Sequence, residues 1–414
     1  MQEHEHADRE IGGLSMLAIR NVRLIDGSGR NPVNKTNILI HDGRFIEIGS
    51  EVAIPDDCYV IEGKGLTAVP GFIDIHTHFG GSPDPDCSVC GNRQDTCDYK
   101  SAREGFLHWG ITTVRSCGDQ TDDILGFRDN VNTGKLLSPR LKVCGPFFQH
   151  PEGHPWNTVY FKNEVMKETA VVFVDEGASI EEQVDAIAAK GVDFIKVIYG
   201  HVNVVEYPNT APRITERHLK RVIDRAHRNG LKCACHVDGP QEMAAAAKAG
   251  ADTIEHMVNV GNTEEIAYTR EIIAAVKENG SVVTPTLVEV YHNQQPFFKE
   301  VREQAREGVI RLYEAGVPLA VGCDSGIPFV PFGESLHKEL EYLVDAGIPA
   351  AEVLRMATLG NARILGMDDM IGSIETGKEA DLVLLGSDPL KDISGTKDIR
   401  MVIIKGQIVR DERK

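Results

Sequence analysis

The chain has 414 residues, of which 42% are hydrophobic and 26% charged, enough to bury a large core and to form two domains. A formal net charge of −18 at pH 7 excludes a nucleic-acid binder, which needs a basic face to neutralise phosphates. No run of about 18 apolar residues occurs, so neither a membrane span nor a membrane partner is expected.

The first segment, Met1-Gln2-Glu3-His4-Glu5-His6, is acidic and has no basic or apolar leader region. Residues 1–15 read as a disordered tail, and a cytoplasmic location is expected. Short strands then follow at Ala18–Val22, Asn37–Ile40 and Phe45–Ile48, with Asp42-Gly43 as a hairpin turn. The C-terminal end has the same texture. It predicts strands at Ala380–Leu385 and Ile399–Ile404 and a turn at Lys405-Gly406 into Gln407–Val409. Residues 16–70 and 371–414 are therefore expected to form one discontinuous β-sandwich domain.

The middle, 71–370, alternates strands with helices. The strands are predicted at 71–76, 111–116, 140–145, 193–198, 231–236, 253–256, 281–284 and 319–323. Helices are predicted at Ile180–Ala189, Glu216–Asn229, Pro240–Ala249 and Pro296–Ala315. Eight strands alternating with helices suggest an α/β fold, a (β/α)8 TIM-like barrel. A doubly wound open sheet is the competitor, weakened because no phosphate-binding glycine motif follows the first strand.

His76 and His78 lie two residues apart at a strand end, so both side chains leave the same face. Lys196, His236, His256 and Asp324 each end a later strand. In a (β/α)8 barrel these ends converge on one face. Four imidazoles, one carboxylate and one lysine suit two divalent ions such as Zn²⁺, Mn²⁺ or Co²⁺. A protonated lysine would repel them. Carboxylation of Lys196 by CO₂ turns it into an anionic bridge, for ions ~3.5–4 Å apart as in two-metal hydrolysis. Taken one at a time, His236 and His256 read as buried structural histidines and Lys196 as a surface lysine; the joint placement argues otherwise.

The chain resembles the amidohydrolase superfamily, in its binuclear branch with a carboxylated lysine. The resemblance rests on Val69-Pro70-Gly71-Phe72-Ile73-Asp74-Ile75-His76-Thr77-His78, on Thr358-x-x-Asn361-Ala362, and on Gly372-Ser373-Ile374-Glu375-x-Gly377-Lys378-x-Ala380-Asp381-Leu382-Val383. It implies that His76, His78 and Asp324 hold the more buried ion and His236 and His256 the second, with Lys196 and a hydroxide bridging them. It also implies attack of that hydroxide on a substrate carbonyl, with Asp324 as general base and then acid. The substrate expected is an N-acyl amino acid, a dipeptide or a related amide or carbamoyl compound. Homo-oligomers are frequent among such proteins.

Within this frame His154 resembles a histidine that contacts the substrate carbonyl in the members cleaving Xaa-Pro and Xaa-Arg dipeptides. His150 is a weaker candidate of the same kind. Tyr199 and His201 are expected to line the pocket, and Asp238 either to contact substrate or to anchor the Gly239-Pro240 turn. The dipeptide-cleaving members carry a tyrosine where this chain has Asp238, which puts a C-terminal carboxylate on the substrate in doubt. Ser325, Glu289, Tyr291, His292 and Trp156 read either as pocket residues or as local structure. Five of the nine cysteines fall in or beside predicted strands and read as buried thiols. Cys87, Cys90 and Cys97 sit in a loop and read either as a Zn²⁺ or disulfide site or as free thiols.

Other activities stay open at this level. They are a lactone or phosphotriester hydrolase on the same scaffold, a urea or cyclic-amide hydrolase or deaminase, and a ligand-binding scaffold without turnover. Lys196 speaks against the mononuclear deaminase type, which lacks that lysine.

Overall fold

The computed structural model describes residues 16–84, 99–160, 164–202, 210–257, 268–292 and 296–413. The tail 1–15 and the loop with Cys87, Cys90 and Cys97 lie outside them. In chain order the strands are β1 (Met16–Leu24), β2 (Val33–His41), β3 (Arg44–Gly49), β4 (Tyr59–Glu62), β5 (Thr67–Pro70), β6 (Phe72–Thr77), β7 (Ile111–Ser116), β8 (Arg140–Val143), β9 (Phe147–Gln149), β10 (Val171–Phe173), β11 (Phe194–Ile198), β12 (Lys232–His236), β13 (Thr253–Glu255), β14 (Val282–Thr284), β15 (Leu382–Leu385), β16 (Ile399–Ile404) and β17 (Gln407–Asp411). Two compact units emerge: residues up to Phe72 with Thr358–Lys414, and Ile73–Ala357.

In the first unit the strands are hydrogen-bonded as one eight-stranded sheet, β17-β16-β15-β5-β1-β2-β3, with β4 also on β1. The strands of the unit expected as a β-sandwich form one continuous sheet that forks at β1. The reason is the length of β1. Its residues Leu17–Arg20 pair with β4, while Arg23 and Leu24 pair with β5. Between them Asn21 takes φ 61°, and the register slips. The slip moves the inward face from Leu17 and Ile19 to Val22 and Leu24, all in one core with Ile38, Phe45, Leu382, Leu384, Met401 and Ile403. Burying each such side chain stabilises the unit by roughly 1.5–3 kcal/mol. Asp42-Gly43 is the hairpin turn between β2 and β3, both residues at positive φ.

The two C-terminal motifs pack on each other in this unit. Residues Met356–Gly360 form a π-turn, and Thr358 and Asn361 are buried. Gly372 lies at φ 89°, where a Cβ would stand 2.6 Å from Ala362 Cβ and 3.0 Å from Leu359 Cα. Only glycine fits both that conformation and that approach.

In the second unit β10-β9-β11-β12-β13-β14 form a six-stranded sheet and β6-β7-β8 a three-stranded one. The pairings β7–β8, β9–β10, β9–β11 and β11 through β14 are all parallel. Helices separate many of the strands, among them Glu216–Arg228, capped by Thr215, and Pro240–Ala249, with proline in its first turn. The strand expected at 140–145 is β8, which ends before Gly145 at φ 68°; the short strands β9 and β10 were not expected.

The segment 318–325 is held by single bridges rather than by a continuous ladder. Val283 N donates to Pro318 O at 3.0 Å and Ala320 N to Val283 O at 2.9 Å. On the other side Ile75 N donates to Val321 O at 3.2 Å and Asp324 N to His76 O at 2.8 Å. Gly322 makes this close passage possible, because a Cβ there would lie 2.8 Å from both His76 N and His76 Cβ. Among the described residues no helix is long and apolar enough to cross a membrane.

Candidate metal centre

Strand ends bring the imidazoles into one cluster. The ring centroids of His76 and His256 are 4.6 Å apart, those of His236 and His256 4.5 Å, and those of His76 and His78 5.8 Å. His154 stacks on His236 at 5.0 Å. Asp324 Oδ1 is 3.2 Å from His76 Nε2 and 3.1 Å from His78 Nε2. Donor atoms of His76, His256 and Asp324 all lie within 4.8 Å of one another, a span that one metal ion bridges. His256 therefore stands close to His76 and Asp324.

Two of these residues sit in backbone that non-glycine residues rarely adopt: His256 at φ 80° and Asp324 at φ 60°. The left-handed turn at the end of each strand swings the side chain toward the cluster. Such strain costs about 1–3 kcal/mol and is met by the surrounding packing.

Each imidazole has one nitrogen held by the protein. His76 Nδ1 is 2.7 Å from Glu255 Oε2, and His78 Nδ1 is 3.3 Å from Gly118 O. His256 Nδ1 is 2.9 Å from Thr286 Oγ1 and 3.1 Å from Glu289 Oε2. His236 Nε2 is 3.0 Å from Asp238 Oδ1. Fixing one nitrogen in this way sets the other as a ligand. Three buried atoms in the same region have no hydrogen-bond partner: Lys196 Nζ, His76 Nε2 and Asp324 Oδ1. Buried polar atoms are rarely left so. The donor set fits a metal centre.

Charge follows the same geometry. Burial and the nearby Lys196 hold His76 well below the usual imidazole range. Burial and His256 depress His236. Burial opposes ionisation of Asp324, but the hydrogen bond and charge of His78 outweigh it and hold the carboxyl below its ordinary value. For Glu255 burial is likewise overcome, by Arg115 and His76. Burial pushes the Cys117 thiol up to about 12 and the Asp74 carboxyl up to about 7.

The expected pocket residues divide. Asp238 is engaged by the protein itself: beside its bond to His236, Oδ2 accepts from Val202 N at 2.7 Å and from His201 N. It is 4% exposed and orients the histidine and the loop after β11. His201 Nδ1 is 3.0 Å from Glu242 Oε1, which also pairs with Arg213. Tyr199 is buried under the Arg213 guanidinium at 4.6 Å. Glu289 reaches His256, whereas Tyr291 stacks on Tyr342 at 4.3 Å and His292 Nε2 bonds Tyr342 Oη at 3.1 Å. Trp156 packs in an apolar cluster with Phe147 and Tyr160. His150 Nδ1 accepts from Glu152 N and shapes its own loop. Ser325 is buried, and its carbonyl accepts from His78 N at 2.7 Å.

The residues that sequence reasoning did not name are Glu255, Arg115 and Thr286. The only sequence signal was a glutamate preceding His256, which strand alternation assigns to the opposite face.

Burial, with His236 beside it, lowers His154 to about 3, so its part-buried ring is neutral near pH 7. Its folded value lies below the unfolded one, so the unfolded chain takes up the proton first. Stability from this residue is complete above about pH 6.5 and is lost as pH falls toward about 3. Urea midpoints of the metal-free protein should fall between pH 7 and pH 5. About 1–2 kcal/mol of that loss should disappear in His154→Gln. An identical loss in both proteins would contradict the assignment.

The amidohydrolase family model matches residues 67–409. The chain belongs to the amidohydrolase family. It is a hydrolase acting on carbon–nitrogen bonds. It is 23% identical to a 5-methylthioadenosine/S-adenosylhomocysteine deaminase of Thermoanaerobacter pseudethanolicus, over 96% of this chain and 94% of the other. It is 26% identical to the ochratoxinase of Aspergillus niger, over 89% and 81%. A solved Xaa-Pro dipeptidase with methionine bound in its active site superposes with a TM-score of 0.80 at 26% identity, covering 96% of this chain and all of that one, 100%.

Proposed function

We propose that this amidohydrolase is a binuclear metal-dependent enzyme. Its substrate is an N-acyl amino acid, a dipeptide or a related amide or carbamoyl compound. The observation that carries this reading is the clustering of four imidazoles, each held at one nitrogen, beside Asp324, with Lys196 Nζ buried and without a hydrogen-bond partner. The parallel strands, with 318–325 hydrogen-bonded to both β14 and β6, support reading them as the staves of a closed (β/α)8 barrel.

His76, His78 and Asp324 would hold one ion, His236 and His256 the other, and carboxylated Lys196 would lie between them, with Zn²⁺, Mn²⁺ or Co²⁺ as candidates. When bound, the ions supply a water acidic enough to ionise near neutral pH and a Lewis acid for the substrate carbonyl. Asp324 starts ionised, accepts a proton from the attacking water, then returns it to the leaving nitrogen. His154 Nδ1 lies 2.7 Å from Thr158 Oγ1. With Nδ1 accepting from that hydroxyl, the neutral ring offers Nε2–H to the substrate oxygen. Asp238 holds His236 in place, so its charge does not decide the substrate.

The relative named as a deaminase offers a second reading. Lys196, buried and without a hydrogen-bond acceptor beside three of the imidazoles, favours hydrolysis by the two-ion branch. The test is a hydrolysis screen of Zn²⁺- or Mn²⁺-loaded protein in bicarbonate, against dipeptides, N-acyl amino acids, ureas, aminopurines, lactones and phosphotriesters. Cleavage of an amide, dipeptide or carbamoyl bond that stops on chelation and returns with metal is expected. Turnover confined to aminopurines, lactones or phosphotriesters would overturn the substrate class.

A further inference from the structure

Strand β13 aims two consecutive residues at one centre, which ordinary alternation forbids. Glu255 points inward as a strand residue. His256 follows it only because its backbone turns to φ 80°. Glu255 is fully buried, at 0% exposure, and divides its carboxylate between two strands. Oε2 lies 2.7 Å from His76 Nδ1 on β6. Oε1 accepts from Arg115 Nη2 on β7 at 2.7 Å, and from Thr253 Oγ1. Arg115 is buried as well. Its Nη1 donates to Thr253 Oγ1 at 3.0 Å and its Nε to the Ile75 carbonyl at 2.5 Å.

We propose that Glu255, locked by Arg115, is a positioning residue for the metal centre, presenting His76 Nε2 to the ion. The proposal rests on the metal-binding reading of the cluster. An ionised carboxylate only accepts, so the hydrogen of His76 sits on Nδ1 and the lone pair on Nε2. That lone pair faces Asp324, 3.2 Å away. Arg115 supplies the charge without which Glu255 would be a lone buried anion, and its fork fixes the plane of the carboxylate. Together the pair sets the tautomer, the ring orientation and the basicity of a ligand that neither residue replaces.

The test is a Co²⁺ titration of the metal-free full chain, read by visible absorption and by competition with a chelator. The parent is compared with Glu255→Gln and with the double variant Arg115→Met/Glu255→Met. The double variant removes both charges at once, so no ion is left unpaired and the fold is kept. The parent should take two Co²⁺. Both variants should bind one of the two about 10–100-fold more weakly, with a changed visible spectrum, while the thermal midpoint of the double variant stays within a few degrees of the parent. Unchanged affinity and spectrum in the double variant, with the parent still taking two ions, would overturn this proposal alone. A parent that takes no Co²⁺ would overturn the metal reading beneath it.

Discussion

Lys196→Met is expected to lower kcat/KM for the best amide substrate by at least ~1000-fold, about 4 kcal/mol of transition-state stabilisation. The same change should leave the thermal midpoint of the metal-free protein unchanged or raised. Both signs follow from one observation: Lys196 is 1% exposed, and its Nζ has no hydrogen-bond partner. A buried amino group without an acceptor costs stability, and methionine of similar length removes that cost without opening a cavity. A lysine kept for structure would do the reverse, with turnover intact and the midpoint lower. Parallel assays of turnover and thermal denaturation separate the two.

Asp324→Asn should lower kcat by ~1000-fold with little change in KM, within the range of general acid–base effects. The carboxylate approaches His76 Nε2 and His78 Nε2 at 3.2 and 3.1 Å, and the hydrogen bond from His78 keeps it ionised against burial. The amide nearly matches it in shape but takes up no proton. Steady-state kinetics on the metal-loaded variant reads this directly. Unchanged kcat would remove Asp324 from the proton transfers; unchanged ligand binding in a protein without measurable turnover would favour a binding scaffold.

Much of the site was legible because its signals are local. His76 and His78 carry the strand period in their spacing, and His236, His256 and Asp324 each end an apolar run, whereas Lys196, expected at a strand end, stands in the middle of β11 with Val197 and Ile198 after it. The unread part depends on backbone that no spacing encodes. Glu255 looked outward by alternation, and only the left-handed turn at His256 lets both residues face inward. Asp238 read as a possible substrate contact because its partners, the His201 and Val202 amides, come from a loop 37 and 36 residues away. In the fold, the alternation of strands and helices was readable, while β9 and β10 were missed. Three-residue strands carry no period. The forked sheet depends on a slip at Asn21, which looks like any polar residue in a strand.

The account turns on two ions held around Lys196. Metal content per chain, measured by elemental mass spectrometry after Zn²⁺ reconstitution in bicarbonate and removal of excess ion, tests this most directly. Two Zn²⁺ per parent chain and at most one in Lys196→Met is the predicted result. No stoichiometric metal in the parent, or two ions in both proteins, would contradict it.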